Sequence, residues 1–370
     1  MLILSDIHIG VNRQGGTTPA SREGLRQYLF TAFEDAMHTS ETHTCILGDL
    51  FDQFEIEGRD WVQTYLVLSD YLSRPNGGFS NKLTLVAGNH DHSPKALRVS
   101  SFEMLCKVLV EQFGPERVHV IAIDQYDVVE EGVFALAHCS NQDIFDEKLK
   151  SLLDTFVQAG SRVLLHANYD NHFATNSDHS LNVSEEQAKS FADKGATLYF
   201  AHEHQARKAL GGSVVVFGNQ WPTSVADCLN NDIKYAHVLN GGVTQIATWA
   251  RDLGDINEGA MAAEALGYGE IDWRNLDETG DPDMPPLFIK VIGKASSNEA
   301  GDCMSAIAKF RHMSKAFVIT NGVKIEGVLD NEALPESFEV TKAFDVIEFI
   351  NSNLDEPQRA AVKKLQEVVR

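Results

Sequence analysis

Short apolar runs alternate with longer segments of helical spacing along the first 200 residues of the chain. In the longer segments, apolar residues recur every three or four positions, as on the buried face of a helix. The short runs predict strands at 2–5, 44–47, 83–87, 162–165 and 197–200. The helical spacing predicts helices at 22–38, 60–73, 95–113, 145–159 and 184–194. Strands that alternate with helices predict an α/β fold with a parallel sheet covered by helices.

A second set of strands is predicted between and after these elements, at 117–123, 126–130, 133–138, 213–217, 234–239 and 243–248. Two sets of strands are enough to build two packed sheets with helices outside them. We therefore assign residues 1–250 to one large domain.

The rest of the chain differs in composition. Residues 251–283 are acidic, and Pro282, Pro285 and Pro286 lie at their end, which predicts a linker. Residues 284–335 are expected to form a small α+β domain with a strand, a helix and a strand at 287–292, 298–313 and 316–319. Residues 336–370 are expected to be a helical segment that binds a partner, with helices at 341–352 and 355–369.

The bulk composition narrows the functional classes. The chain has 370 residues, of which 43% are hydrophobic and 23% charged, as in globular proteins. No apolar run is long enough to cross a bilayer, and the first strand leaves no room for a signal peptide. The five scattered cysteines form no C-x-x-C pair, which argues against a disulfide framework or a thiolate zinc site. We expect a cytoplasmic protein without membrane association.

Candidate metal ligands follow five of the predicted strands: Asp6, His8, Asp49, Asn89, His166, His202 and His204. The carboxyl ends of strands are where open α/β sheets bind their ligands. Asp6 and His8 alternate, so both side chains would lie on one face if the strand continues through them. Asp49 has two carboxylate oxygens and can bridge two ions roughly 3.5–4 Å apart.

This ligand set indicates the chemistry of the site. Asn89 offers a neutral amide oxygen, which adds no negative charge to repel a phosphate. Imidazole, carboxylate and amide groups without thiolate favour manganese, iron or zinc, with magnesium as an alternative. A pair of such divalent ions is a standard means of cleaving a phosphoester. The net charge of −22 argues against broad binding to duplex nucleic acid but not against this chemistry.

His90 is a candidate catalytic residue, placed to protonate the leaving oxygen, and Asp52 or Asp91 is expected to orient its imidazole. Any one of these motifs alone is equally well explained by coincidence or by a turn, because the chain has 14 histidines. All five motifs in this order favour a common site. His92, His138 and His172 are ambiguous, since they lie near the predicted site loops.

Together these residues resemble the calcineurin-like metallophosphoesterase superfamily over about residues 1–250. The resemblance implies a four-layer α/β/β/α sandwich with a two-metal centre between the sheet edges. It assigns Asp6, His8, Asp49 and His204 to the first ion. It assigns Asp49, Asn89, His166 and His202 to the second ion, and His90 to catalysis.

Within that superfamily the chain is most similar to SbcD-type nucleases, the nuclease subunits of DNA double-strand-break repair and recombination complexes, including phage-encoded versions. The similarity lies in Ser-Asp-Ile-His-Ile-Gly at 5–10, Gly-Asp-Leu-Phe-Asp at 48–52, and the loop at 217–224. Asn219 replaces the usual serine of this loop, and Ala201 replaces the usual glycine before the last histidine pair. The strand–helix–strand module is similar to their DNA-capping domain.

This resemblance implies a manganese-dependent DNA exonuclease and endonuclease that forms a homodimer and binds an SbcC-type coiled-coil ATPase. Leu97, Phe102, Leu105, Leu109 and Phe113 could form the dimer seam, or they could simply cover the sheet. A phosphatase or cyclic-nucleotide phosphodiesterase on the same fold is an alternative function. A scaffold that has lost catalysis is another, although none of the expected ligands is missing.

Overall fold

The computed structural model describes residues 1–11, 19–38, 41–76, 79–92, 98–171, 180–221, 235–240, 243–248, 268–276, 288–314, 316 and 318–326. The strands of the large domain are β1 (Leu2–Leu4), β2 (His43–Leu47), β3 (Pro75–Asn76), β4 (Phe79–Ser80), β5 (Lys82–Val86), β6 (Val118–Ile121), β7 (Tyr126–Glu130), β8 (Val133–Leu136), β9 (Arg162–His166), β10 (Asn168–Tyr169), β11 (Asn182–Val183), β12 (Thr197–Ala201), β13 (Arg207–Ala209), β14 (Val214–Val216), β15 (Tyr235–Asn240) and β16 (Val243–Thr248). Its helices are α1 (Pro19–Met37), α2 (Gly58–Ser73), α3 (Ser101–Phe113), α4 (Gln142–Thr155) and α5 (Glu185–Asp193).

Two six-stranded sheets form the large domain, in the orders β16-β15-β1-β2-β5-β6 and β13-β14-β12-β9-β8-β7. In the first sheet, β1, β2, β5 and β6 are parallel, and β15 and β16 add an antiparallel edge. In the second sheet, β8, β9, β12 and β14 are parallel, with antiparallel β7 and β13 at the edges. The parallel strands of each sheet therefore bring their carboxyl ends to one edge.

Alternation along the second sheet places its side chains in two different cores. Ala135, Leu164, Tyr199 and Val215 belong to the large core that includes the first sheet and helices α1 to α3. The intervening residues of the same strands pack with α4 and α5: Phe134, Leu136, Val163, Leu165, Leu198, Phe200, Val214 and Val216. Because successive side chains of a strand point to opposite faces, this division shows a sheet packed on a sheet, with helices outside. The predicted α/β/β/α fold is confirmed.

Helix α3 begins later than the sequence predicted. Ser100 is its N-cap and forms a capping box with Glu103, so the helix starts at Ser101 and not at 95. Helix α4 also shifts: the Asn141 side chain caps it, so it runs from Gln142 to Thr155 and not from 145 to 159. In both cases, a capping side chain sets the start of the helix, and apolar spacing does not report it.

The candidate dimer seam on α3 faces inward. Phe102, Leu105 and Leu109 are buried in the large core, and Phe113 packs against it. This confirms the alternative that these side chains cover the sheet, while Leu97 lies outside the described residues. Residues of α3 that remain exposed, such as Met104, lie on the opposite side of the helix.

A smaller module follows, with β17 (Tyr268–Asp272), β18 (Phe288–Ile292), β19 (Lys294–Ser296), α6 (Ala300–Met313), β20 (Val318–Asn321) and β21 (Lys324–Glu326). Strands β17, β18 and β20 form a parallel sheet, and Cys303 and Ile307 of α6 pack in its core. The linker prediction is wrong for 268–276, because β17 pairs with β18 although its sequence is acidic. Residues 251–267 and the predicted tail helices lie outside the described residues, and the division into domains stays a prediction.

Among the helices of the described residues, none is both long enough and apolar enough to cross a membrane.

Candidate metal centre

The predicted ligands follow strands whose carboxyl ends are neighbours. Strands β1, β2 and β5 are adjacent and parallel in the first sheet. In the second sheet, β9 and β12 are adjacent and parallel, with Ala201 of β12 paired with His166 of β9. The sheets pack face to face, so the loops after these strands meet. Main-chain hydrogen bonds join two of these loops, from His8 N–H to the carbonyl of Asp49 (3.0 Å) and from Asp6 N–H to that of Gly48 (3.3 Å).

The backbone at the site differs from the continued strand that the sequence predicted. β1 ends at Leu4 and β12 ends at Ala201, so neither the Asp6–His8 pair nor the His202–His204 pair alternates along a strand. Asp6, His8, Asp49 and His202 have φ values of 53°, 52°, 50° and 83°. Left-handed backbone is unfavourable for residues with a side chain and is concentrated at functional sites. Four of the seven described non-glycine residues with positive φ are predicted metal ligands.

Asp49 lies at the centre of the site. Its Oδ2 is 3.4 Å from His166 Nε2 and 3.9 Å from the Nε2 atoms of His8 and His90. Potential ligand atoms lie within 4.8 Å of one another in two triplets, one of His8, Asp49 and His90, the other of Asp49, His166 and His202. Asp49 is common to both triplets. We call these five residues the Asp49 cluster.

Asn89 and Asp6 lie next to the Asp49 cluster. The amide oxygen of Asn89 is 3.0 Å from His166 Nε2. Both carboxylate oxygens of Asp6 accept the main-chain N–H of His202, each at 3.1 Å. His204 is exposed, and its Nδ1 is 3.5 Å from Asn219 Nδ2. The structure thus brings six of the seven predicted ligands into contact, and the roles assigned to Asp6 and His204 at the first ion stay predictions.

The carboxylate of Asp49 dominates the electrostatics of the cluster. Although burial opposes it, the charge of His166 and its hydrogen bond hold the pKa of Asp49 well below its usual range. Burial would lower the pKa of His166, but Asp49 and its hydrogen bond raise it to about 9. Burial and the charge of His166 lower the pKa of His202 to about 4, and burial lowers the pKa of His8. The neutral buried imidazoles of His8 and His202 beside the ionised Asp49 are ready to bind a cation, whereas His166 must first release its proton.

Two glycines make room for these side chains. A Cβ on Gly48 would lie 2.1 Å from His166 Nδ1, and a Cβ on Gly88 would lie 2.2 Å from Asp49 Oδ1. Gly48 also has a φ of +78°. From sequence, the Gly-Asn-His-Asp motif at 88–91 alone is also explained by a turn, in which glycine accepts unusual dihedral angles. The structure shows that both glycines leave space that the side chains of His166 and Asp49, two predicted metal ligands, occupy.

His90 is oriented differently from the prediction. Its Nδ1 is 2.6 Å from the main-chain carbonyl oxygen of Asp52, and its side chain is 23% exposed. The Asp52 carboxylate instead faces His8, with Oδ1 3.6 Å from Nδ1. Asp52 therefore supports His90 with its backbone and His8 with its side chain.

Asp91 connects two loops of the site. Its carboxylate accepts the main-chain N–H groups of Phe51 (3.2 Å) and Gly88 (3.0 Å), and burial and the charge of Asp49 raise its pKa to about 7. The expectation that this side chain orients His90 is wrong, because its oxygens are turned toward the backbone. Asp91 is a positioning residue for the loops that carry Asp49 and Asn89.

Other residues near the site were not identified from the sequence. The buried side chain of Gln220 accepts the N–H of Ser5 (2.8 Å) and donates to the carbonyl of Ile3 (3.3 Å), which fixes the end of β1 before Asp6. Its position in the loop at 217–224 was the only signal. His138, one of the ambiguous histidines, is buried, and its main-chain N–H donates to the carbonyl of Ala87. His92 is half-buried, and His172 lies outside the described residues.

The residues fit divalent metal ions. Within the described part of the chain, His8 Nδ1 is buried without a hydrogen-bond partner, and its Nε2 faces Asp49. In metal sites a carboxylate commonly lies behind a metal-binding imidazole, and Asp52 lies in this position relative to His8. Nitrogen and oxygen donors without thiolate suit manganese, iron, zinc or magnesium.

Comparisons with known proteins agree with this geometry. The model of the calcineurin-like phosphoesterase family matches residues 1–206, which include β1 to β12 and every predicted ligand. The comparison with curated proteins gives no match. Because the matched region is more than half of the 370 residues and carries the Asp49 cluster, this chain belongs to the calcineurin-like phosphoesterase family.

Proposed function

We propose that this metal-dependent phosphoesterase is a phosphodiesterase whose Asp49 and neighbouring ligands would hold two divalent ions. The observation that carries the proposal is the shared carboxylate, which belongs to both ligand triplets. Asp49 with His8 and Asp6 would hold one ion. Asp49 with Asn89, His166 and His202 would hold the other. When bound, such a pair supplies Lewis acidity and activates water for attack on phosphorus.

The chain's own residues would position and protonate the substrate. The Asp52 carbonyl fixes the proton of His90 on Nδ1, so Nε2 is the atom that gives and takes a proton at the site. This nitrogen faces Asp49 and its ring is partly exposed, as expected for a group that protonates a leaving oxygen. Asn89 provides an uncharged oxygen, so the site does not gain a further negative charge opposite the phosphate.

DNA is the substrate that we propose, with a role as the nuclease subunit of an SbcCD-like repair or recombination complex. The support is the similarity of residues 5–10, 48–52 and 217–224 to SbcD-type nucleases. A net charge of −22 gives the isolated chain little general attraction for DNA. An SbcC-type ATPase would supply the extended DNA contact, and the chain would act as a homodimer in the cytoplasm, with Mn²⁺ as the preferred ion.

The test is cleavage of linear duplex and single-stranded DNA by the full chain after metal removal and addition of Mn²⁺, Mg²⁺, Fe²⁺ or Zn²⁺. Metal content is measured on the same samples. Nucleotide release that requires the ion and is lost in His90→Ala supports the nuclease. Two bound ions without release from either DNA would refute the DNA proposal.

The same samples distinguish the alternatives. A chromogenic mono-ester and a bis-ester are compared, together with a cyclic nucleotide. Preference for the mono-ester indicates a phosphatase, and turnover of the cyclic nucleotide indicates a cyclic-nucleotide phosphodiesterase. A scaffold would show no turnover of any substrate with both ions bound.

A further inference from the structure

Glu203, the residue between the last two histidines of the site, is held by a set of contacts of its own. Its carboxylate accepts the main-chain N–H of Tyr169 (2.5 Å) and two N–H groups of Arg207, one of them at 3.0 Å. Arg207 also donates to the carbonyl oxygen of Tyr169 (2.7 Å), and its guanidinium lies 5.7 Å from the centre of the Tyr169 ring. The Glu203 side chain is only 11% exposed. Both main-chain polar groups of Tyr169 are thus bound by one ion pair.

These contacts lie where the sheet no longer connects the two loops. The hydrogen-bonded register of β9 and β12 ends at Ala201 paired with His166. His202 then leaves the strand with a φ of 83°. Tyr169 is three residues after His166, and Glu203 is one residue after His202. The ion pair therefore joins the two chain segments just beyond the point where the strands separate.

Two further contacts make this connection rigid on the side of β10. The Tyr169 ring is buried against Phe200 of β12, with ring centres 5.6 Å apart. Tyr169 also pairs with Val183 through the short parallel ladder of β10 and β11. A carboxylate tied to a fixed main-chain N–H and to a two-pronged guanidinium has little freedom to rotate. The segment that carries His202 is therefore fixed relative to the segment that carries His166.

We propose that Glu203 and Arg207 are positioning residues that set the separation of His166 and His202, and hence the geometry of one of the two metal positions. The imidazole rings of these histidines have centres 5.1 Å apart. Glu203 lies between two histidines but belongs to neither ligand triplet. Its carboxylate serves the backbone of Tyr169 instead of an ion. The inference rests on the proposed two-metal centre. It adds that metal affinity at the position of His166 and His202 depends on the Glu203–Arg207 ion pair more than affinity at the other position does.

The experiment is a Mn²⁺ titration of the metal-free full chain by isothermal calorimetry, without any substrate. Wild-type protein should bind two ions. In Glu203→Ala, one ion should bind about 10- to 100-fold more weakly, the usual effect of losing a residue that supports metal ligands, while the other changes little. Arg207→Lys keeps the positive charge but loses the guanidinium that bonds both Glu203 and Tyr169. The affinity for the same ion should therefore fall, but by less than in Glu203→Ala.

Controls separate positioning from general stability. Asp70→Ala removes an ion pair of the same i,i+4 spacing on α2, between Asp70 and Arg74 at 3.0 Å, and should bind Mn²⁺ like the wild type. Glu203→Gln keeps an acceptor for the Tyr169 N–H without the charge that binds Arg207. If Glu203→Ala does not fold, the Mn²⁺ titration of Glu203→Gln replaces it, and one ion should again bind more weakly than the other. Excess Mn²⁺ should restore kcat in the Glu203 variants at unchanged KM.

The proposal is overturned if Glu203→Ala binds both ions like the wild type, or, where the alanine variant does not fold, if Glu203→Gln and Arg207→Lys both do so. It is also overturned if both ions weaken equally together with a fall in the stability of the metal-free protein. Wild-type protein that binds no ion refutes the metal centre and this inference together. Wild-type protein that binds two ions and cleaves no DNA refutes only the nuclease, because the titration contains no nucleic acid.

Discussion

Histidine and carboxylate side chains join the two sheets at opposite edges of the large domain, in two different ways. At the amino edge, His43 bonds Glu130 at 2.6 Å and Thr84 at 2.9 Å, so both ring nitrogens have a partner, and the Glu130 side chain is 42% exposed. At the carboxyl edge, four histidines surround the buried carboxylate of Asp49. In the first arrangement both imidazole nitrogens are satisfied, whereas in the second, among the described residues, His8 Nδ1 is buried without a hydrogen-bond partner.

The backbone shows the same difference. His43 and Glu130 lie within β2 and β7, while Asp49 and His8 have left-handed φ values outside their strands. Strain and clustered imidazoles cost stability, and such features persist where function requires them. The comparison shows that the chemistry of a histidine–carboxylate contact depends on burial and on the number of neighbours, more than on the residue types.

The largest effect is expected for Asp49→Ala. Loss of the shared carboxylate should prevent binding at both positions, and cleavage should fall by more than the roughly 10⁴-fold that marks the upper end for a single proton-transfer group. Metal content and bis-ester cleavage measure the result. Glu130→Ala is the matched control at the other edge and should keep both ions. Equal losses in the two variants would contradict the comparison.

His90→Ala should separate proton transfer from metal binding. We expect cleavage to fall by about 10²- to 10⁴-fold while both ions stay bound, because the proposed role of His90 is to protonate the leaving oxygen. Single-turnover rates and metal content are measured on the same preparation. His119→Ala removes an imidazole paired with Asp127 on the surface and serves as the control. Loss of an ion in His90→Ala would instead assign this residue to the ligands.

Gly48→Ala should be more harmful than Gly132→Ala, although both glycines have positive φ, +78° and +71°. A Cβ at 132 meets nothing within 4 Å, so only the left-handed backbone is strained, at about 1–2 kcal/mol. At 48 the Cβ collides with His166, which adds about 1–3 kcal/mol and displaces the imidazole. Chemical denaturation of the metal-free variants and Mn²⁺ titration test this. Equal unfolding free energies would refute the steric role of Gly48.

The metal-free protein should lose stability between pH 7 and pH 9. The pKa of His166 is raised from 6.5 to about 9 in the fold, so the unfolded chain releases its proton first as pH rises. The free energy of unfolding then falls by at most about 1.4 kcal/mol per pH unit. Below pH 7, the lowered pKa of His202 makes the free energy of unfolding rise with pH, and the raised pKa of Asp91 makes it fall. The range from pH 7 to pH 9 therefore tests His166 most directly.

Asp49→Asn is the control for this pH dependence. It removes the charge that raises the pKa of His166 and leaves the buried thiols, which also titrate at alkaline pH, unchanged. Denaturation with guanidinium and a chelator at pH 7 and pH 9 should therefore show a smaller decrease in the variant. A decrease of the same size in both proteins would mean that His166 is not its source.

Glu130→Gln should have the smallest effect. It weakens a partly exposed pair, and such pairs are worth about 0–1 kcal/mol. We expect the free energy of unfolding to change within this range, with metal affinity and cleavage like those of the wild type. A loss of several kcal/mol would show that the His43–Glu130 pair is a major connection between the sheets.

The extent of prediction from sequence differs between strands, loops and caps. Strand β5 and helix α2 were recognisable because their apolar spacing reflects a buried face. The start of α3 at Ser101 was missed because the Ser100–Glu103 capping box sets it. Strand β17 was missed because its acidic sequence is typical of a linker, while its pairing partner β18 comes 20 residues later in the chain.

The sequence by itself determined the α/β class and which polar residues follow the strands, because burial imposes a period on apolar residues and parallel strands end at one edge. Only the tertiary structure decided that Asp49 is shared by two triplets and that Asp91 binds backbone instead of His90. It also decided that Gly48 leaves space for His166. These are contacts between residues 40 to 120 positions apart, and their distances depend on how two sheets pack, which no local pattern records.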